Sequence, residues 1–267
     1  MISEVVEFLD EKFHPEYQED YDNAGFLLGD STTVCTGALV ALDLTPTVIE
    51  EAISLGFNLI VTHHPFIFSG LKRITDHSEA GRMTLKLIQN NISVYAAHTN
   101  LDNLPWGVNG ILADKLGIIN YHILRTVNIG EKKPRKKNAI GAGMIGVTPR
   151  SIKVDKFLQN VKKITKQPSI RTSTHSPLQR IHHVAICGGA GSFLIEDAIA
   201  AGADLFITAD LKYHDFQRAE GRIILADVGH YETEQFAKEI ISRVISEKFS
   251  NFACRISEKQ ESLVLYI

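Results

Sequence analysis

One stretch of fifteen residues occurs twice in this chain, and that repeat constrains the fold more than any other feature. "EEAISLGFNLIVTHH" (50–64) lies over "EDAIAAGADLFITAD" (196–210), with identities at Glu50/Glu196, Ala52/Ala198, Ile53/Ile199, Gly56/Gly202, Leu59/Leu205 and Thr62/Thr208. Each copy reads as the end of a helix, a glycine stop and an apolar strand. Further on, "ISVYAAHTNLD" and "IILADVGHYETE" each end a strand in a histidine followed four residues later by a carboxylate: His98 with Asp102, and His230 with Glu234. Generic helix and strand chemistry accounts for the glycines and aliphatic residues. It does not account for a polar pair recurring at the same offset, so the chain reads as an internal duplication.

Around these copies, strand-like runs alternate with helix-like ones, from "GALVALDLT" through "ISVYAAH" and again from "HHVAICGG" through "GRIILADVGH". The expectation is an α/β protein with parallel or mixed sheets. The first repeat is read as 1–125 and the second as 126–267, with no room for a large inserted domain. A long amphipathic helix, "ETEQFAKEIISRVISEKF", and a strand-like tail, "SLVLYI", are expected at the end.

With 267 residues, 44% of them hydrophobic, the chain can bury a sizeable core, and no apolar run reaches the roughly 20 residues a spanning helix needs. "MISEVVEFLDEKF" lacks the basic segment and continuous apolar core of a signal peptide. Cys35, Cys187 and Cys254 are far apart and odd in number, which excludes a disulfide framework and a CxxC knuckle. A cytoplasmic protein with no membrane partner is expected. The net charge of -3 gives no global reason for nucleic-acid binding, and the basic run "EKKPRKKNA" (131–139) reads as a solvated loop.

The chemistry gathers at strand ends. In "LIVTHHPFIF" (59–68) an apolar strand runs into His63 and His64, and Pro65 stops it, placing both imidazoles at the carboxyl edge where α/β sheets put ligand sites. Adjacent residues of an extended segment point to opposite sides, so these rings are expected to reach two different ions. The i, i+4 spacing of His98/Asp102 and of His230/Glu234 brings two ligands to one face of a helical turn, although "NLPWG" after Asp102 leaves a loop open there. Glu234 is expected near the start of the terminal helix, where the macrodipole favours an anion. Imidazole and carboxylate together suit Zn, Fe or Mn. His14, His77, His122 and His175 read as ordinary core or surface histidines. "ICGGAGSFL" (186–194) reads either as a phosphate-cradling loop, though without P-loop residues, or as a tight packing turn. "TADLKYHD" (208–215) offers Asp210, Lys212 and His214 after a strand, as substrate contacts or as a solvated loop.

"YDNAGFLLGD", "THHPFIFSGLKRI", "AAHTNLDN", "ICGGAGSFL", "TADLKYHD" and "DVGHYETE", in this order over almost the whole chain, resemble the GTP cyclohydrolase 1 type 2 homolog family, the Nif-three-like proteins. The resemblance implies two intertwined α/β repeats with mixed sheets, two divalent metal ions per subunit, and a homohexameric ring. It carries the metal-ligand roles over to His63, His64, Asp102, His230 and Glu234, with Glu234 as bridge. His98 matches a residue of the same site, a further ligand or a neighbour of the ligands, for which a catalytic proton-shuttling role is expected. Lys212 and His214 are expected to bind substrate. Tyr21 stands where the family usually has Trp, and Ala190 and Ala209 where it tends to have Ser and Gly. The implied function is a dinuclear metal-dependent hydrolase opening the guanine ring of GTP with release of formate. A metal-dependent phosphoesterase, and a metal-holding or partner-binding ring protein without turnover, are the alternatives. Two neighbouring ions serve either hydrolysis.

Overall fold

A computed structural model describes residues 1–127, 139–176, 178–260 and 262–266. All but Ala139 of the basic run 131–139 lies outside these residues. The chain forms two compact units, Met1–Leu101 with Ala237–Glu261, and Asp102–Phe236 with Ser262–Ile267. Both are α/β, as the alternating pattern implies.

In the first unit, β1 (Gly25–Leu28), β2 (Gly37–Ala41), β3 (Leu59–Thr62), β4 (Ser93–Ala96) and β11 (Ala253–Ile256) form a mixed sheet in the order β1-β4-β3-β2-β11. Only β1 runs antiparallel to its neighbour. Every residue of β2, β3 and β4 is buried, the reason these strands read as unbroken apolar runs rather than alternating ones. The helix α2 (Pro46–Leu55) begins at Thr45, whose Oγ1 accepts the Val48 N–H, and stops at Gly56, in the left-handed region at φ 68°. Its Val48, Ile49 and Ala52 pack with Leu39, Ile60 and Val94 of the sheet. α1 (Ile2–Phe13), α3 (Glu79–Gln89) and α10 (Ala237–Lys248) complete the unit, and α4 (Thr99–Asp102) follows β4, with the division between units falling before its last residue.

In the second unit, β5 (Ile119–Thr126), β6 (Gly141–Lys153), β7 (Arg171–Thr172), β8 (Arg180–Ala190), β9 (Leu205–Ala209) and β10 (Ile224–Asp227) form a sheet in the order β5-β6-β8-β9-β10-β7. The central β8, β9 and β10 are parallel, and the flanking pairs are antiparallel. Alternation along the strands feeds two cores. Ile186, Ile207 and Ala226 meet Phe157 and Val161 of α6 (Val154–Thr165) and Leu112 of α5 (Val108–Leu116). Ala185, Phe206 and Leu225 meet Ile195 and Ala198 of α7 (Ile195–Ala200). Two short helices, α8 (Tyr213–Gln217) and α9 (His230–Glu234), follow β9 and β10.

The duplication is visible in these elements: α2 and β3 correspond to α7 and β9, and β4 with His98 to β10 with His230. Two sequence expectations need correcting. The expected long terminal helix is two helices, α9 and α10, so Glu234 is the last residue of a single turn and gains no macrodipole stabilisation from a long helix. The described part of the tail, residues 262–266, forms no strand. No helix among the described residues is long and apolar enough to cross a membrane.

Candidate metal centre

In the first unit, β3 ends at Thr62, and the next two residues leave the extended path. The His63 N–H bonds the carbonyls of Ala41 and Leu42, the His64 N–H also bonds Leu42 O, and Thr62 Oγ1 donates to His64 O at 2.8 Å. This bend cancels the alternation expected for an extended segment, so the two rings stand on the same side with centroids 5.0 Å apart. His98, two residues beyond β4, joins them at 5.3 and 5.4 Å. A ring nitrogen from each of the three histidines lies within 4.8 Å of the other two, an arrangement able to hold a metal ion. His63 is fully buried, and the other two are half-buried.

A shared hydrogen-bond pattern decides which nitrogen each ring turns towards this cluster. His63 Nδ1 lies 2.7 Å from the carbonyl of Ala97, which only accepts, so the ring proton sits on Nδ1 and the lone pair of the neutral ring on Nε2. His64 Nδ1 donates to Asp43 Oδ1 and His98 Nδ1 to Asp22 Oδ1, each at 2.7 Å. The acceptors are fixed in turn. Asp43 Oδ2 accepts from Gln260 Nε2 at 3.0 Å, whereas Asp22 Oδ2 accepts from the N–H and the hydroxyl of Thr99. Burial opposes ionisation of Asp22, but the bonds and charge of His98, with those of Thr99 and Asn23, hold its pKa down at about 2.

The second unit repeats the device. His230 opens α9, and its Nδ1 donates to Asp210 Oδ2 at 2.7 Å while its Nε2 lies 2.9 Å from Glu234 Oε2. Here the i, i+4 spacing read from the sequence does bring the two groups together. Burial works against the imidazolium, yet bonds to Asp210 and Glu234 outweigh it and raise the pKa of His230 to about 11. The glycines of "CGGAG" explain how Glu234 fits. Gly189 has φ 62°, and a Cβ there would stand 2.1 Å from Glu234 Oε1 and 3.2 Å from His230 Nε2. Residues 186–190 are the end of β8 rather than the loop or turn expected from the sequence, and the bare backbone at Gly189 leaves room for a carboxylate and an imidazole. Burial raises the pKa of the Cys187 thiol, and the charges of Asp102 and Glu234 raise it further. Asp102 closes the helical turn α4, so the loop left open by "NLPWG" is not what presents it.

Lys212 and His214 are exposed, and the Lys212 N–H caps α8 by donating to Asp215 Oδ2. From the same loop it is Asp210 that reaches a histidine of the candidate centre. Sequence reasoning missed Asp22 and Asp43 as histidine anchors. Each stood in a quoted motif, but a carboxylate 21 or 76 residues from its partner carries no spacing signal.

The donor set fits a divalent metal. Within each unit the imidazoles are fixed through Nδ1 to an oxygen acceptor, which is how histidine ligands are oriented, and in the second unit Gly189 leaves the space the Glu234 carboxylate needs. Imidazole and carboxylate donors admit several metals.

Comparison with known proteins agrees with the fold and the motifs. A Clostridium acetobutylicum protein named GTP cyclohydrolase 1 type 2 homolog is 34% identical over 237 residues, covering 87% of this chain and 85% of its own. A crystal structure of a Staphylococcus aureus protein superposes with a TM-score of 0.89 at 28% identity, over 100% of this chain and 99% of that one. A Bacillus cereus protein related to NIF3, 22% identical, shares the fold with a TM-score of 0.88 over 99% and 98% of the two chains. The Duf34/NIF3 (NGG1p interacting factor 3) family profile matches residues 1–262, and the chain belongs to that family.

Proposed function

We propose that this protein is a metal-dependent hydrolase using two divalent cations, with His63, His64, Asp102, His230 and Glu234 as ligands and His98 as the group that moves a proton. The observation that supports the reading is the shared anchoring of the four histidines, each held through Nδ1 by an oxygen acceptor. Ions held by these residues would supply Lewis acidity that lowers the pKa of a water and polarises the bond under attack. His98, held by the low-pKa carboxylate of Asp22, has the geometry of a general acid–base.

The names of the curated relatives favour a purine nucleotide as substrate. Two waters would be consumed: one opens the five-membered ring of guanine to a formamide, and the second releases formate. Assembly into a hexameric ring belongs to the same proposal.

The test is elemental analysis of protein purified without chelator or affinity metal, for wild type and Glu234→Ala, followed by formate assay with GTP. About two metals per chain, falling in the variant, together with metal-dependent formate release, is the expected result. Metal without formate would overturn the ring-opening assignment, and a phosphate assay would then decide on phosphoester cleavage. No metal uptake from Zn, Mn or Fe(II) would overturn the centre itself.

A further inference from the structure

The second unit contains an ion pair that the proposed chemistry does not use. Arg171 and Asp227 are paired across the antiparallel contact of β7 and β10. Asp227 is 7% exposed, and its Oδ2 accepts both from Arg171 Nη2 and, at 3.0 Å, from the Leu211 N–H. The same Arg171 nitrogen donates to the Leu211 carbonyl at 2.9 Å. The pair therefore grips both polar groups of one residue, Leu211. The guanidinium also lies 5.6 Å from the Phe216 ring centre.

The residue before Leu211 is Asp210, which holds His230 Nδ1. Asp210 has φ 57°, a left-handed conformation that a non-glycine residue keeps only where its surroundings over-determine it. The next residue is fixed on both sides by the ion pair, and this supplies that constraint. β7 is only two residues long and contributes little pairing of its own, but it delivers Arg171 to this position.

We infer that Asp227 and Arg171 clamp Leu211 so that Asp210 meets His230, making them positioning residues for the His230 ring. The inference rests on the proposed role of His230 as a metal ligand. It also predicts a property of the metal-free protein, the firmness of the His230–Asp210 bond.

The test uses the full chain as wild type, Arg171→Gln, Arg171→Lys, Asp210→Asn and the Arg171→Gln/Asp210→Asn double variant. Zn(II) affinity is read by competition with a chromogenic chelator, and the His230 ring N–H by nitrogen-15 NMR on metal-free protein. Arg171→Gln should weaken Zn(II) binding by about 10-fold or more. It should also lose the slowly exchanging Nδ1 proton signal of His230, and Arg171→Lys should restore part of both. The double variant should bind no more weakly than Asp210→Asn alone, because the clamp acts through Asp210. Additive losses, or wild-type affinity with the Nδ1 signal intact, would overturn the inference. If the wild type takes up no Zn(II), the metal reading fails by itself, and the Nδ1 signal still decides the clamp: loss in Arg171→Gln supports it, and persistence sinks it.

Discussion

Gly189 and Glu234 approach so closely that a methyl group on the glycine would stand 2.1 Å from the carboxylate oxygen Oε1. The glycine N–H is tied to Thr233 Oγ1 at 3.0 Å and its carbonyl to Thr208 Oγ1 at 3.0 Å, so the backbone has little freedom to retreat. Gly189→Ala must therefore displace Glu234, and it strains a backbone at φ 62° as well. We expect Gly189→Ala to lose about 1–3 kcal/mol of stability through that strain and to lose metal affinity. Thermal unfolding and metal titration check the two parts. Gly191→Ala, close to Thr208 and Cys187 rather than to Glu234, serves as a control that strains the same loop without touching the carboxylate.

Asp22 and His98 separate two roles that the geometry leaves adjacent. Asp22→Asn keeps the size of the anchor but removes the negative charge that faces the His98 ring. If His98 moves a proton, His98→Gln should keep the metal content and lose at least about 100-fold in turnover. Asp22→Asn, which loosens the hold on the ring, should lower turnover with little change in metal content. A His98→Gln protein depleted of metal would instead make His98 a ligand.

The sequence showed the duplication, the strand ends and the two His/carboxylate pairs because each is local: a glycine stop, an aliphatic run and an i, i+4 spacing are all set within one turn or one strand. What it hid depends on chain reversal. Asp22 and His98 are 76 residues apart, and Gln260 and Asp43 are 217 apart, so nothing in their spacing marks them as partners. The bend that puts His63 and His64 on one side is set by backbone bonds to Ala41 and Leu42 on the neighbouring strand end, beyond the reach of a period-two argument. The break between α9 and α10 carries no sequence mark, since "TEQFAKEI" contains neither proline nor glycine.

His230 links metal binding to pH. In the metal-free protein its pKa is raised to about 11 from an ordinary 6.5, so at pH 7.5 the ring is an imidazolium between Asp210 and Glu234. The raised pKa means that its contribution to folding is fully present below 6.5 and is lost as pH rises through about 11. A metal ion needs the neutral ring, so binding must expel that proton. Calorimetric titration of Zn(II) in buffers of different ionisation enthalpy should show about one proton released per chain at pH 7.5 attributable to His230. Affinity should rise with pH over the range where other ligands are already deprotonated. In Asp210→Asn the imidazolium loses one of its two carboxylate partners, so the pH at which affinity stops rising should move down from about 11, even as the orientation of the ring deteriorates and absolute affinity falls. Proton release in His230→Gln equal to that of the wild type would show that the proton comes from another group and that His230 is neutral before the metal arrives.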